Sequence, residues 1–245
     1  MKTIIKFILQ RLLGFKNYLY IFSLFIIRKL PRDKNEKDFL YFLRMLPGDG
    51  IVLDIGANLG VMSYYLAKNF SGRQVFAFEP IPYNYRNLQK IKSKFRLQNL
   101  YTFQLALGDE NGAIDMILPV EHAVRFHGLA HIKYAAIDER NEGEVFQCPI
   151  RRLDDFKELR PEEIKITGIK IDVENFEYYV LKGAENLLKK HMPLIYCELW
   201  DNENRKKTID LLENLGYKVQ VLENNELTAY IPAKHTTQNF FFQQG

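Results

Sequence analysis

At 245 residues and 28.9 kDa the chain makes one large domain or two small ones. Its 26% charged and 47% hydrophobic residues exclude a disordered, collagen-like or polytopic membrane chain, and Cys148 and Cys197 are too few for a disulfide framework or a four-cysteine zinc site. The net charge of +4 conceals an asymmetry. Residues 1–32 hold Lys2, Lys6, Arg11, Lys16, Arg28, Lys29 and Arg32 and no acid, so residues 33–245 stand at −3, which speaks against a nucleic-acid surface.

Residues 3–30 are rich in Ile, Leu, Phe and Tyr and end at Pro31, which cannot continue a helix. Lys6, Arg11 and Lys16 break any signal-peptide core, and the longest uncharged run, 17–27, is shorter than the roughly 20 residues a bilayer requires. A helix lying on a surface fits better. At about 100° per residue Lys2, Lys6, Lys16, Asn17, Arg28 and Lys29 share one arc, and Ile4, Ile8, Leu12, Phe15, Leu19 and Phe22 face the other way, with Arg11 the misfit. Residues 1–32 are thus expected to form one basic amphipathic helix at an anionic membrane, making a cytoplasmic protein peripheral at the inner membrane face. The alternative is packing on its own domain or on a second subunit; the complete lack of acids favours lipid.

From residue 50, short apolar runs alternate with amphipathic segments. Strands are predicted at 51–55, 75–79, 100–105, 168–173, 194–199 and 217–222, and helices near 60–69, 82–94, 177–190 and 203–215. That alternation implies an α/β fold with a largely parallel sheet covered by helices on both faces, in residues 33–245. The interval 110–167 breaks the rhythm, with short strands at 115–118 and 145–150, and reads as an insertion over the active face. The aromatic tail 238–242 reads as a last edge strand or a disordered end.

In such a fold ligands sit beyond the carboxyl ends of the strands. The first strand runs into Asp54-Ile-Gly56-Ala-Asn58-Leu-Gly60. Asn58 and Val61 stand where a dinucleotide fingerprint wants glycines, and no P-loop lysine follows, so the turn suits a ligand without phosphates, with Asp54 aimed at a cation. Glu79 closes the second strand, where a carboxylate can accept both ribose hydroxyls. The third reaches Ala106-Leu-Gly-Asp109, small enough for an adenine ring; the fourth gives Asp172-Val-Glu174-Asn175, and the fifth gives Glu198.

These motifs, with Phe78-Glu79-Pro80-Ile-Pro82, Leu153-Asp-Asp155, Lys170-Ile-Asp172 and Gly183, resemble in order and spacing the FkbM methyltransferase family over about residues 50–200. The resemblance implies a class I, Rossmann-like fold with a seven-stranded sheet whose last strand is antiparallel, and S-adenosylmethionine-dependent O-methylation of a sugar or other small-molecule hydroxyl. Carried over by position, Asp54, Gly56, Asn58 and Gly60 would hold the methionine part of the cofactor, Glu79 the ribose, and Ala106 to Asp109 the adenine. The family reads Asp-Val-Glu-Gly where this chain has Asn175, a residue that tolerates a left-handed backbone.

A hydroxyl nucleophile gains from a general base. The candidates are Asp172, Glu198, His127 and His131, with Asp172 expected to be required and His127 to assist. Mg²⁺ between Asp172 and Glu198 is chemically compatible, but no ligand spacing calls for it. Methylation of RNA or protein, and a membrane-tethered scaffold without turnover, are the competing functions.

Overall fold

A computed structural model describes residues 2–68, 72–121, 123–132, 142–159 and 165–245; parts of the predicted insertion, 122, 133–141 and 160–164, lie outside the described residues. The helices are α1 (Lys2–Leu13), α2 (Phe15–Lys29), α3 (Lys37–Met45), α4 (Val61–Lys68), α5 (Pro82–Phe95), α6 (Glu177–Lys182), α7 (Glu185–His191) and α8 (Glu203–Asn214). The strands are β1 (Gly50–Ile55), β2 (Arg73–Phe78), β3 (Leu100–Phe103), β4 (Ala106–Leu107), β5 (Gly112–Glu121), β6 (Val124–Arg125), β7 (His131–Ile132), β8 (Gly143–Arg151), β9 (Ile166–Ile171), β10 (Leu194–Glu198), β11 (Tyr217–Glu223), β12 (Glu226–Ala229) and β13 (Asn239–Gln244).

The main sheet has the order β12-β11-β13-β10-β9-β1-β2-β3. From β3 through β10 the pairs are parallel, and β13 runs antiparallel to both β10 and β11. Helices cover both faces, each over its own apolar layer. Phe39, Phe42, Val52, Leu66, Val75 and Leu88 pack on one side, and Leu53, Ile169, Val180, Leu188, Ile195 and Leu212 on the other. Among the described residues the sheet has eight strands rather than seven. The extra strand, β12, folds back on β11 through Asn224 and Asn225, both at positive φ (53° and 65°), the backbone that a two-residue hairpin needs.

The aromatic tail is neither an edge strand nor a disordered end. As β13 it lies between β10 and β11, with Phe240 and Phe242 in one apolar layer, Phe241 in the other, and none of the three exposed. A strand buried on both faces has no polar alternation to show.

The interval after β3 forms a second sheet, β4-β8-β5-β6, with β7 also on β5. Its spine is the antiparallel β5/β8 pair, rooted where Ala106 pairs Ile150 and Leu107 pairs Arg151. The amino-terminal segment is two helices rather than one. Gly14, at φ 70°, breaks it in a conformation that costs glycine little, and splits the apolar stripe. Ile4, Ile8 and Leu12 on α1 stay exposed, whereas Tyr18, Leu19, Ser23 and Ile27 of α2 are buried against the domain. So α2 packs on its own domain, the outcome that lipid contact had been favoured over. Lipid contact can concern only the outward faces.

Candidate active site

The turn after β1 is built around a buried charge pair. Asp54 and Lys170 are 0% and 2% exposed, with Nζ 3.4 Å from Oδ1. The other Asp54 oxygen accepts from Ser63 Oγ at 2.5 Å. Burial works against the Lys170 charge, but Asp54 and Asp172 outweigh it and hold the ammonium above its ordinary value. Lys170 Nζ also donates to the Gly56 carbonyl at 2.8 Å, tying the turn to the neighbouring strand. Asp54 therefore spends its charge on an internal lysine and does not line the cavity; the cation it meets is Lys170.

Gly56 sits at φ 75°, and a Cβ there would lie 1.8 Å from the Asp172 carbonyl oxygen, so no side chain fits. Its amide and that of Ala57 donate to Phe78 O at 3.1 and 2.9 Å. The same turn reaches the end of β2, where Glu79 accepts from the amides of Asn58 (2.8 Å) and Ile81 (2.9 Å) and from Asn84 Nδ2 (3.4 Å). Burial pushes the Glu79 carboxyl up to about 7, against these hydrogen bonds and Lys170.

Beyond these strand ends lies a cleft of about 620 Å³, its open mouth included. Gly56, Asn58, Glu79 and Asn84 form a polar end, and Ala106, Leu107, Met116, Ile132 and Phe176 an apolar slot. The insertion thus contributes through Met116 and Ile132. Oδ1 of Asn58 and of Asn84 are buried without a hydrogen-bond partner among the described residues, an arrangement that is costly unless a ligand supplies donors. Gly60 and Asp109 are not part of the lining. Gly60 approaches Leu88, and Asp109, two residues beyond β4, pairs with Lys182 at 3.7 Å and gives its carbonyl to Arg152.

A second cleft of about 590 Å³ adjoins the first, and Gly56, Asn58, His127 and Asp172 line both. Asp172 leaves β9 with its carboxylate 3.8 Å from Lys170. Burial, then Asp172, push Glu198 up to about 7, and burial with Asp172, Glu198 and Glu177 pushes Glu174 up to about 8. Glu198 reaches neither cleft. His127 stands beside Phe22 and Tyr18 (ring centroids 5.4 and 6.5 Å), and its Nδ1 is buried with no hydrogen-bond partner among the described residues. Burial and nearby Lys6 pull the imidazole down to about 4, so it is neutral at physiological pH. His131 is buried in β7 and lines neither cleft.

Asn175 takes φ 72°, as its tolerance of that region allows, and its side chain accepts from Asn202 (2.7 Å) and Asn204 (3.1 Å) at the start of α8. Among the described residues no three His, Cys, Asp or Glu side chains converge in a metal-holding group.

Residues 54–219 match the model of the methyltransferase FkbM domain. The chain belongs to the FkbM methyltransferase family. Methyltransferase 1 of Beauveria bassiana is 25% identical over 78% of this chain and 85% of its own length. The 31-O-demethyl-FK506 methyltransferase FkbM of Streptomyces tacrolimicus is 27% identical over 80% of this chain and 87% of its own. Among solved structures, methyltransferase FkbM of Methylobacillus flagellatus aligns at a TM-score of 0.53 and 15% identity, covering 82% of this chain and 45% of that one. A SAM-dependent O-methyltransferase of Thermotoga maritima aligns at 0.50 and 14% identity, covering 89% of this chain and 71% of that one.

The protein is an S-adenosylmethionine-dependent methyltransferase with a class I fold. Its residues fit that cofactor. Glu79 stands at a strand end with an acceptor site left for a hydroxyl, the apolar slot offers the surroundings an aromatic base needs, and the two Asn oxygens unpaired among the described residues await donors. Asn84 and Lys170 went unassigned in the sequence. Lys170, between Ile169 and Ile171 in an apolar strand, is the signal that was there to read, because a lysine in a buried strand must find a partner.

Proposed function

We propose that this methyltransferase acts on oxygen, at a hydroxyl of a sugar, glycan or related small molecule. The observation that carries this reading is the neck between the two clefts, where Asp172 and the unpaired Nδ1 of His127 face a space adjoining the cofactor residues. A relative whose printed name is 31-O-demethyl-FK506 methyltransferase supports an oxygen acceptor. S-adenosylmethionine supplies a methyl group on a sulfonium. As the acceptor oxygen takes the methyl, its proton passes to the Asp172 carboxylate, and neutral His127, which lines the same neck, helps to hold the acceptor in line. Glu198 touches neither cleft and acts through Asp172, as a positioning charge.

Labelled methyl transferred from the cofactor to a membrane glycan extract should survive mild alkali, as an ether does and a methyl ester does not. Asp172→Asn should lower turnover by about 10²- to 10⁴-fold. His127→Ala should lower it less. Wild-type turnover in Asp172→Asn would remove Asp172 as the base, and alkali-labile label would remove the hydroxyl acceptor.

The same reading places the enzyme at a membrane surface. Among the described residues no helix is long and apolar enough to cross a bilayer. Yet α1 exposes Ile4, Ile5, Ile8, Leu9 and Leu12, and α2 exposes Ile21 and Phe25, in a segment without acids. An apolar ridge flanked by cations suits the boundary of an anionic bilayer. On vesicles of phosphatidylcholine and phosphatidylglycerol the full chain should co-sediment, and an Ile8→Asp/Leu12→Asp variant should stay in the supernatant. Equal pelleting of the two would end the membrane assignment. Point variants are the right tool, because removing residues 1–32 would strip buried Leu19, Ile27 and Leu30 from the domain.

A further inference from the structure

We infer that α2 is the acceptor-binding wall of this active site, and that the acceptor it selects carries its hydroxyl on an apolar, long-chain alkyl body. This inference rests on the hydroxyl-transfer reading above and names the substrate class of that site.

The second cleft has two chemically distinct ends. Phe22 and Ile26 of α2, Leu30 just beyond it, and Val61 and Met62 of α4 supply its apolar lining, and Glu36 and Lys170 line it as well. At its inner end the gap meets Asp172, His127 and Asn58 at the neck shared with the cofactor cleft. A ligand filling this space presents a polar group inward and an apolar body along α2. A free sugar, polar all round, would leave the apolar walls uncovered, and burying apolar area is the main source of affinity in such a cleft.

The wall is fixed in place. The Tyr65 hydroxyl donates to Ile27 O, Asn87 Nδ2 donates to Ser23 Oγ at 3.1 Å inside the domain, and Phe15 packs edge-on against Tyr83 at 5.3 Å. Phe22 and Ile26 are also one helix position away from Ile21 and Phe25, which are 51% and 60% exposed. Phe22 and Phe25 are three positions apart and so adjacent on the helix surface, which carries apolar surface from the outward ridge to the cleft, while Glu36 and Lys170 join Asp172 among the polar groups of its lining. The family match begins at residue 54, so this wall comes from a segment outside it.

Methyl and octyl β-glucoside, the latter below its micelle concentration, are the probes. Their binding to the full chain saturated with S-adenosylhomocysteine is read by calorimetry. The octyl compound should bind tighter by about tenfold or more, since each buried methylene strengthens binding about fourfold. Ile26→Asn and Phe22→Ala should remove most of that increment while leaving affinity for S-adenosylhomocysteine and the melting temperature in place. If those variants melt early, Ile26→Trp, which fills the gap, should shorten the alkyl chain that binds best. Equal binding of the two glucosides, or an increment untouched by all three variants, would overturn the inference. Loss of S-adenosylhomocysteine binding in folded variants would overturn it too, by giving the cleft to the cofactor. Because the readout is binding, failure of methyl transfer to any hydroxyl would show separately.

Discussion

Lys170→Met should destabilise the protein by about 3–5 kcal/mol in urea unfolding, the usual result of stranding one member of a buried ion pair. The variant leaves Asp54, wholly buried, with no cation within 4 Å among the described residues, and frees the Gly56 carbonyl that Nζ holds at 2.8 Å. The cost is that of an orphaned carboxylate, not the net worth of the pair, which predicts the second half of the experiment. Adding Asp54→Leu should recover most of the loss, less the hydrogen bond that Ser63 gives to Asp54. A single variant as stable as the wild type would mean that Asp54 finds another partner, and the account of the turn would be wrong.

The second large effect concerns Glu79. A cofactor hydroxyl donating to a carboxylate contributes about 1.5–3 kcal/mol, so Glu79→Ala should weaken S-adenosylhomocysteine binding by about 10- to 10²-fold. The pH dependence has a definite sign. In the free protein Glu79 titrates at about 7, and donors from the ligand favour its ionised form, so the bound state has the lower value. Affinity should therefore be full above about pH 7 and fall as the pH drops below it, with a proton released on binding near neutrality. Calorimetry in buffers of different ionisation enthalpy reads both. Flat affinity between pH 5.5 and 8, each value about as stated, would show that Glu79 is not the ribose ligand.

The legible part of this fold was the part that repeats locally. Parallel strands are short apolar runs and their crossovers are amphipathic, so five of the six predicted strands fell on the parallel core and the sixth on β11, with ends shifted by a residue or two, and Gly56, Glu79, Ala106 and Asp172 fell at strand ends. Strand order is different, because it depends on contacts between distant segments. Nothing in the run Phe240-Phe241-Phe242 tells an interior position from an edge, and nothing in the pattern of residues 217–229 requires β12 to join the sheet. The amino-terminal stripe was read at the right period, but periodicity gives a helix its faces and not its partners. One glycine, Gly14, was enough to send the two halves of that stripe to different surroundings. Asp54 and Asp109 were named as cofactor ligands on motif position alone, and the lysines that they meet, Lys170 and Lys182, come from elements more than 70 residues away.

The place of β13 bears on how the protein is made. Among the described residues β11 makes no ladder with β10 and joins the rest of the sheet through β13, so the two parts of the sheet wait, unjoined, for a segment translated after both. While the chain is still on the ribosome, β10 offers an open strand edge, and the pocket later filled by Phe240, Phe241 and Phe242 is bare. Closure is a late, long-range event of the kind that slows folding and invites association between nascent chains. Expression yield should accordingly respond to chaperone supply and growth temperature more than the stability of the finished fold would suggest.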